Sequence, residues 1–173
     1  MTDADHSGGV DEYPDLDDLP ADPTDREYVE RTIRLAEEAV AAGNTPFGGL
    51  LVVDGEVVAE ARNETRTGDE VTAHPELTLA RWAASELDAD ELADCTMYAS
   101  TEPCPMCATA IHYAGIDRVV FGVDNETLRE LSDAGVSIPL EEVIRRGDGG
   151  TTVEGPVAVD AAMAVHDDFF GKS

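Results

Sequence analysis

Two short stretches, Ala73-His74-Pro75-Glu76 and Thr101-Glu102-Pro103-Cys104-Pro105-Met106-Cys107, limit the folds open to this chain. Proline lacks an N–H and is tolerated in a helix only within the first turn. Pro75 therefore starts one helix, and Pro103 with Pro105 starts another. His74 and Glu76 flank the first start, while Cys104 and Cys107, three apart, share a face of the second. Two helix N-termini are predicted to converge, bringing one imidazole and two thiols together. A helix N-terminus favours thiolate over thiol. A catalytic zinc takes three such ligands and keeps one corner open. The spacing thus predicts one zinc held by His74, Cys104 and Cys107, with water at the fourth position. Glu76 is left beside the metal, free to carry protons. Zinc lowers the pKa of its bound water from about 15.7 towards about 7, which supplies hydroxide at neutral pH.

Two plainer readings compete. A Cys-x-x-Cys pair by itself most often marks structural zinc or a redox couple. Structural zinc needs four protein ligands. The remaining cysteine, Cys95, lies in the strand-like run Cys95-Thr96-Met97-Tyr98-Ala99 and reads as a small buried apolar residue. A redox pair leaves His74 and Glu76 unexplained.

The rest of the chain supplies the frame. Residues 1–22 hold no Lys or Arg and are rich in Asp, Gly and Pro, the composition of a flexible acidic tail on a single domain at 23–173. Val10, Tyr13, Leu16 and Leu19 offer apolar contacts through which part of it lies on that domain. Thr24-Asp25-Arg26-Glu27 is a capping box. Val29, Ile33, Ala36 and Val40 follow at helical spacing, and Gly43 closes the helix. Phe47 to Val53 is a strand, Asp54-Gly55 a two-residue hairpin turn, and Val57 to Asn63 the partner strand. The stretch 64–72 is polar and irregular. Leu79, Ala83 and Leu87 form the buried stripe of the first metal helix; Trp82 is core or interface. Cys95 to Ser100 and Arg118 to Val123 are strands on either side of the second metal helix, Cys104 to Ala114. Short helices are predicted at Leu128 to Leu131 and Leu140 to Ile144, and a turn at 145–150. Thr152 to Val159, broken by Gly155-Pro156, reads as an edge strand, and Asp160 to Phe170 as a last helix. Hairpin, helix, strand, helix, strand predicts an α/β fold of three layers around a mixed sheet.

With these motifs placed, the chain resembles the cytidine and deoxycytidylate deaminase superfamily. Within it the likeness is to small guanine deaminases, yeast-type cytosine deaminase and bacterial tRNA adenosine deaminases. It runs from about Pro46 to Val123, and more loosely to Asp168-Phe169-Phe170. Pro46-Phe47-Gly48-Gly49 resembles the entry to the first strand, and Thr101 to Cys107 the second zinc motif. Pro75 departs from the small residue usual there, but fits a helix start. The resemblance implies a cytidine deaminase-like fold, a mixed five-stranded sheet between helices. It implies one zinc ion per subunit of a homodimer or larger assembly. It also implies a mechanism in which zinc-bound hydroxide attacks the ring carbon bearing an exocyclic amine. Glu76 takes a proton from the water and passes it to a ring nitrogen, then to the leaving ammonia. Asn63 matches the asparagine with which the family binds substrate, although an Asn there also suits a turn. Asn44 is a second substrate-binding candidate, although an Asn after Gly43 also suits a helix C-terminus. His112 is set aside as structural, and His6 and His166 have no partner legible in the sequence. The last helix either closes over the pocket with Phe169 or Phe170, as C-terminal segments do in relatives, or packs in the core.

Three functions remain: a free-nucleobase deaminase with guanine leading and cytosine as alternative, a tRNA adenosine (A to I) deaminase, and a non-enzymatic zinc module with Glu76 idle. Charge bears on the choice. The 173 residues, enough for one domain with a proper core, carry 38 acidic against 11 basic residues and a net charge of −27. A nucleic-acid partner wants basic patches, and only Lys172 follows Phe169-Phe170. No apolar run is long enough to span a membrane. The start, Met1 to Asp5, lacks the basic and apolar regions of a signal peptide. Three cysteines, two reserved for metal, point to a reducing cytoplasm. Such an acid excess repels itself in the compact state. The reading that fits is a solvated acidic surface adapted to high salt, where screening shortens repulsion to about 3 Å at 1 M. The chain is therefore expected to need salt to stay folded: its melting temperature should climb steeply with salt, and equal stability at low and high salt would contradict this.

Overall fold

The computed structural model describes residues 15–171. Most of the expected acidic tail, including Val10 and Tyr13, lies outside the described residues. Its last part is described: Leu16–Asp18 forms one 3-10 turn. Asp15 pairs with Arg31 and Arg34. Leu19 packs against the core, whereas Leu16 is exposed.

Helix α1 (Asp25–Ala41) opens on the expected capping box, with Thr24 Oγ1 accepting from Glu27 N–H and Glu27 accepting from Thr24 N–H. Gly43, at φ +94°, turns the chain out of it. Strands β1 (Gly48–Val53) and β2 (Glu56–Arg62) form the hairpin. Both turn residues are left-handed, Asp54 at φ 51° and Gly55 at φ 79°, the pattern that matches the right-handed twist of paired strands. Then come α2 (Pro75–Glu86), α3 (Ala89–Ala93), β3 (Thr96–Thr101), α4 (Pro105–Ala114), β4 (Arg118–Val123), α5 (Asn125–Leu128), α6 (Leu140–Arg146), β5 (Thr152–Glu154) and α7 (Val159–Phe170).

The sheet is mixed and five-stranded, in the order β2-β1-β3-β4-β5. β1 is antiparallel to β2 and β3, while β3, β4 and β5 run parallel. Strand alternation sorts the core into two layers. Leu51, Val53, Met97, Ala99, Val119 and Phe121 face Leu79 and Ala83 of α2, Ala108 and Ile111 of α4, and Leu140 and Ile144 of α6. Leu50, Val52, Tyr98 and Val120 face Tyr28, Val29 and Ile33 of α1 and Ala162 of α7. Gly48 lets α1 lie this close, since a Cβ there would strike the Thr32 carbonyl oxygen. Arg118 ties the edge together, bonding Asp25 at the start of α1 and Glu154 of β5 at once.

Several boundaries differ from the sequence reading. α3 forms in a stretch to which the sequence reading assigns no element; Asp88 and Glu91 cap it reciprocally. The helix expected at Leu128 to Leu131 lies earlier, because Asp124 accepts from Thr127 N–H and starts it at Asn125. α6 runs on through Arg145 and Arg146 into the predicted turn. The edge strand stops at Glu154, just before Gly155-Pro156. No helix among the described residues is long and apolar enough to cross a membrane.

Candidate active site

Both metal motifs sit where the prolines place them. His74 is the N-cap of α2, with Pro75 and Glu76 next. Cys104 is the N-cap of α4, with Pro105 next and Cys107 at the third helical position. α2 and α4 pack side by side through Leu79, Ala83, Ala108 and Ile111, so their N-termini meet. Cys104 Sγ lies 3.6 Å from Cys107 Sγ, and His74 Nδ1 lies 3.7 and 3.6 Å from the two sulfurs. Tetrahedral zinc with ordinary bond lengths separates two sulfurs by about 3.8 Å and sulfur from nitrogen by about 3.6 Å. The three side chains therefore fit zinc. They form the one such cluster of His, Cys, Asp and Glu among the described residues. Cys95 is not in it; burial in β3's approach pushes its thiol up to about 12. Three protein ligands, with no fourth among the described residues, are the pattern of a catalytic centre.

The protonation pattern suits a metal. The hydrogen bond with Cys107 pulls the Cys104 thiol down to about 4, and the same bond, with burial, raises Cys107. The bond to Cys104 also raises His74. Zinc binding displaces the protons left on such a set. Glu76 is 4% exposed, and burial pushes its carboxyl up to about 7, against the pull of His74. A carboxyl poised near neutrality can take up and give back a proton at working pH.

A cavity of about 400 Å³ opens on His74, Glu76 and Cys104. It lies at the carboxyl ends of the parallel strands β3 and β4, the usual place for ligands in such sheets. Phe47 and Phe170 line it, so the C-terminal helix does reach the pocket; Phe169 sits under the Arg66 guanidinium, 5.2 Å away.

The two asparagine candidates fare differently from the metal ligands. Asn44 is buried in loop contacts: its Oδ1 accepts from Arg66 N–H and Thr67 N–H, and its Nδ2 donates to Thr67 Oγ1. It holds the 64–72 segment and is not on the cavity wall. Asn63 is also buried and off that wall, with Oδ1 accepting from Thr65 N–H and Thr65 Oγ1, but no bond to Nδ2 occurs among the described residues.

Three residues were missed by sequence reasoning. Glu102 lines the cavity, its carboxylate accepting from the backbone of Asn125 and Leu140. Asn125 lines it too. His166 stands behind the wall, 1% exposed, with Nε2 2.8 Å from Thr101 Oγ1 and its ring against Phe47 and Phe170. Glu102 lies within Thr101 to Cys107 and Asp124-Asn125-Glu126-Thr127 has a capping pattern, but His166 has no local signal.

Residues 22–123 match the cytidine and deoxycytidylate deaminase zinc-binding region. The chain belongs to that family. It is 40% identical over 104 residues to a guanine deaminase of Bacillus subtilis (strain 168), covering 60% of this chain and 67% of that one. It is 35% identical over 152 residues to a probable cytosine deaminase of Schizosaccharomyces pombe, covering 84% of this chain and 92% of that one. A solved tRNA:A34 deaminase, 28% identical, superposes with a TM-score of 0.67 over 80% of this chain and 97% of that one. This chain is thus a zinc-dependent hydrolytic deaminase that cleaves a C–N bond.

The buried His166 gives the fold a pH signature. Burial lowers its pKa to about 4 from an ordinary 6.5, so it is neutral when folded. The unfolded chain then binds the extra proton, and stability falls as pH drops from about 6.5 towards about 4, by up to about 3 kcal/mol. Urea melts across that window should show a shallower slope for His166→Gln than for wild type; identical slopes would contradict it.

Proposed function

We propose that this chain hydrolyses a free nucleobase or related amino-heterocycle, with guanine, giving xanthine and ammonia, as the leading substrate. The observation that carries the reading is the buried Glu76 carboxyl on the wall of a cavity beside three metal ligands. Zinc held by His74, Cys104 and Cys107 supplies, when bound, the Lewis acidity that makes water a nucleophile at neutral pH. Glu76 accepts a proton from that water at a carboxylate oxygen, passes it to a ring nitrogen, and delivers a proton to the departing amine. Water and the amino-heterocycle become a lactam and ammonia, with Glu76 restored. Phe47 and Phe170 shield the ring from bulk water. Asn63 is the substrate-binding asparagine in this reading, through the Nδ2 that its turn leaves unused; Asn44, committed to its loop, acts through the position of the 64–72 segment.

Guanine is favoured by the similarity to the bacterial guanine deaminase; cytosine is the alternative on the yeast relative. The similarity to a tRNA deaminase supports a second reading, adenosine to inosine in tRNA. Against it stands the excess of 38 acidic over 11 basic residues, because RNA phosphates need cationic contacts. The same proposal comprises a homodimer with one zinc per subunit, a cytoplasmic and salt-adapted enzyme, and an acidic tail at 1–22 ahead of the domain at 23–173. The exposed Tyr113 and Met106 on α4 support a second copy, as apolar side chains that a partner would cover.

Ammonia release from guanine, cytosine and related bases tests the substrate. Glu76→Gln is expected to retain zinc and lose at least about 10²-fold in kcat. Undiminished turnover by that variant would refute the proton transfer, and inosine in tRNA without release from any free base would install the second reading.

A further inference from the structure

The segment after β4 forms much of the cavity wall, through Asn125, Leu128, Arg129, Ser132 and Val136. One carboxylate fixes both of its ends. Glu102 Oε2 accepts Asn125 N–H at 2.9 Å, and Glu102 Oε1 accepts Leu140 N–H at 2.7 Å. Glu102 is 8% exposed and immediately precedes Pro103-Cys104, so this wall is fastened to the chain that carries the metal ligands. Asp124 adds a third anchor, accepting Thr127 N–H at 2.6 Å. Every one of these bonds uses backbone, and the Asn125 side chain is left over. Neither its Oδ1 nor its Nδ2 has a partner among the described residues, and Nδ2 is shut off from water. A buried amide donor without a partner is costly and rare in folded proteins. Asn44 and Asn63, by contrast, commit their Oδ1 atoms to turns and stand off the cavity wall. An anchored backbone, an idle amide and a place on the cavity wall coincide at Asn125 alone among the described asparagines.

We propose that Asn125 determines specificity by reading a lactam edge, the adjacent C=O and N–H of the substrate ring. Rotation of the amide about its Cβ–Cγ bond brings the unpartnered Nδ2 out to the ring carbonyl, and the ring N–H donates to Oδ1. The inference rests on the deaminase reading above and adds what the substrate must carry. Guanine presents N1–H beside its C6 carbonyl, and cytosine presents N1–H beside its C2 carbonyl. Adenine has no carbonyl, and the N6–H/N7 edge that an amide reads on it includes the very amine that must leave at the metal. Asn125 therefore favours lactam bases over adenine for a reason independent of the chain's charge. Glu102 is the positioning residue for this contact, since it holds the Asn125 backbone.

The test compares each base with an analogue that keeps the amine and lacks the lactam: guanine with 2-aminopurine, and cytosine with 4-aminopyrimidine. kcat/KM is measured for wild type, Asn125→Leu and Asn125→Ala, with zinc content and melting temperature as checks on folding. Intrinsic reactivity differs between the two members of a pair but cancels when the ratios of wild type and variant are compared. The lactam preference is expected to fall by about 10- to 100-fold in either variant, the discrimination of one bidentate amide contact. If Asn125→Leu fails to fold, Asn125→Ala reads the same ratio. A preference unchanged in a folded variant overturns the assignment. Turnover of neither pair by wild type overturns the substrate reading first, before any substitution is made, and the assignment falls with it.

Discussion

Everything at this site depends on two helix N-termini being held against each other. Pro75 and Pro105 start α2 and α4 one residue after a ligand, so His74 and Cys104 both serve as N-caps. The packing of α2 on α4 then brings three ligand atoms within 3.7 Å of one another. Neither helix can slide along the other by a turn without separating them. The apolar contacts of Leu79, Ala83, Ala108 and Ile111 are thus a requirement of the chemistry, not just of stability.

The sheet completes the pocket in one direction only. Because β3 and β4 are parallel, the chain leaves both at the same end, and Glu102 and Asn125 emerge beside the metal ligands. Glu102 N–H donates to Val123 O at 2.8 Å, holding these exits together. The other face contributes through α7, whose His166 contacts Thr101, Phe47 and Phe170. A domain with one deaminase centre therefore has a wall built from both layers, and its substrate contacts come from loops placed by a rigid frame.

Much of this was legible in the sequence where the signal was local. The zinc ligands, the capping box at Thr24, the Asp54-Gly55 hairpin and the β4 run each declare themselves within a few residues. What was missed depends on distant partners. Glu102 is named in the motif, yet its purpose is set by Asn125 and Leu140, far along the chain. Asn44 reads as a helix end or a substrate contact, and only its bonds to Arg66 and Thr67 show what its amide does. His166 has no neighbour in sequence that hints at Thr101. The helix expected from Leu128 starts at Asn125, where the Asp124 side chain caps it.

The central claim is a zinc bound by three side chains with one corner left to solvent. Anomalous diffraction at the zinc edge from crystals of the purified protein tests it most directly. The account predicts one zinc per chain, about 2.3 Å from Cys104 Sγ and Cys107 Sγ and about 2.1 Å from His74 Nδ1, with a solvent oxygen completing the tetrahedron. A fourth side chain on the metal, Glu76 included, or no zinc between those three residues, would contradict it.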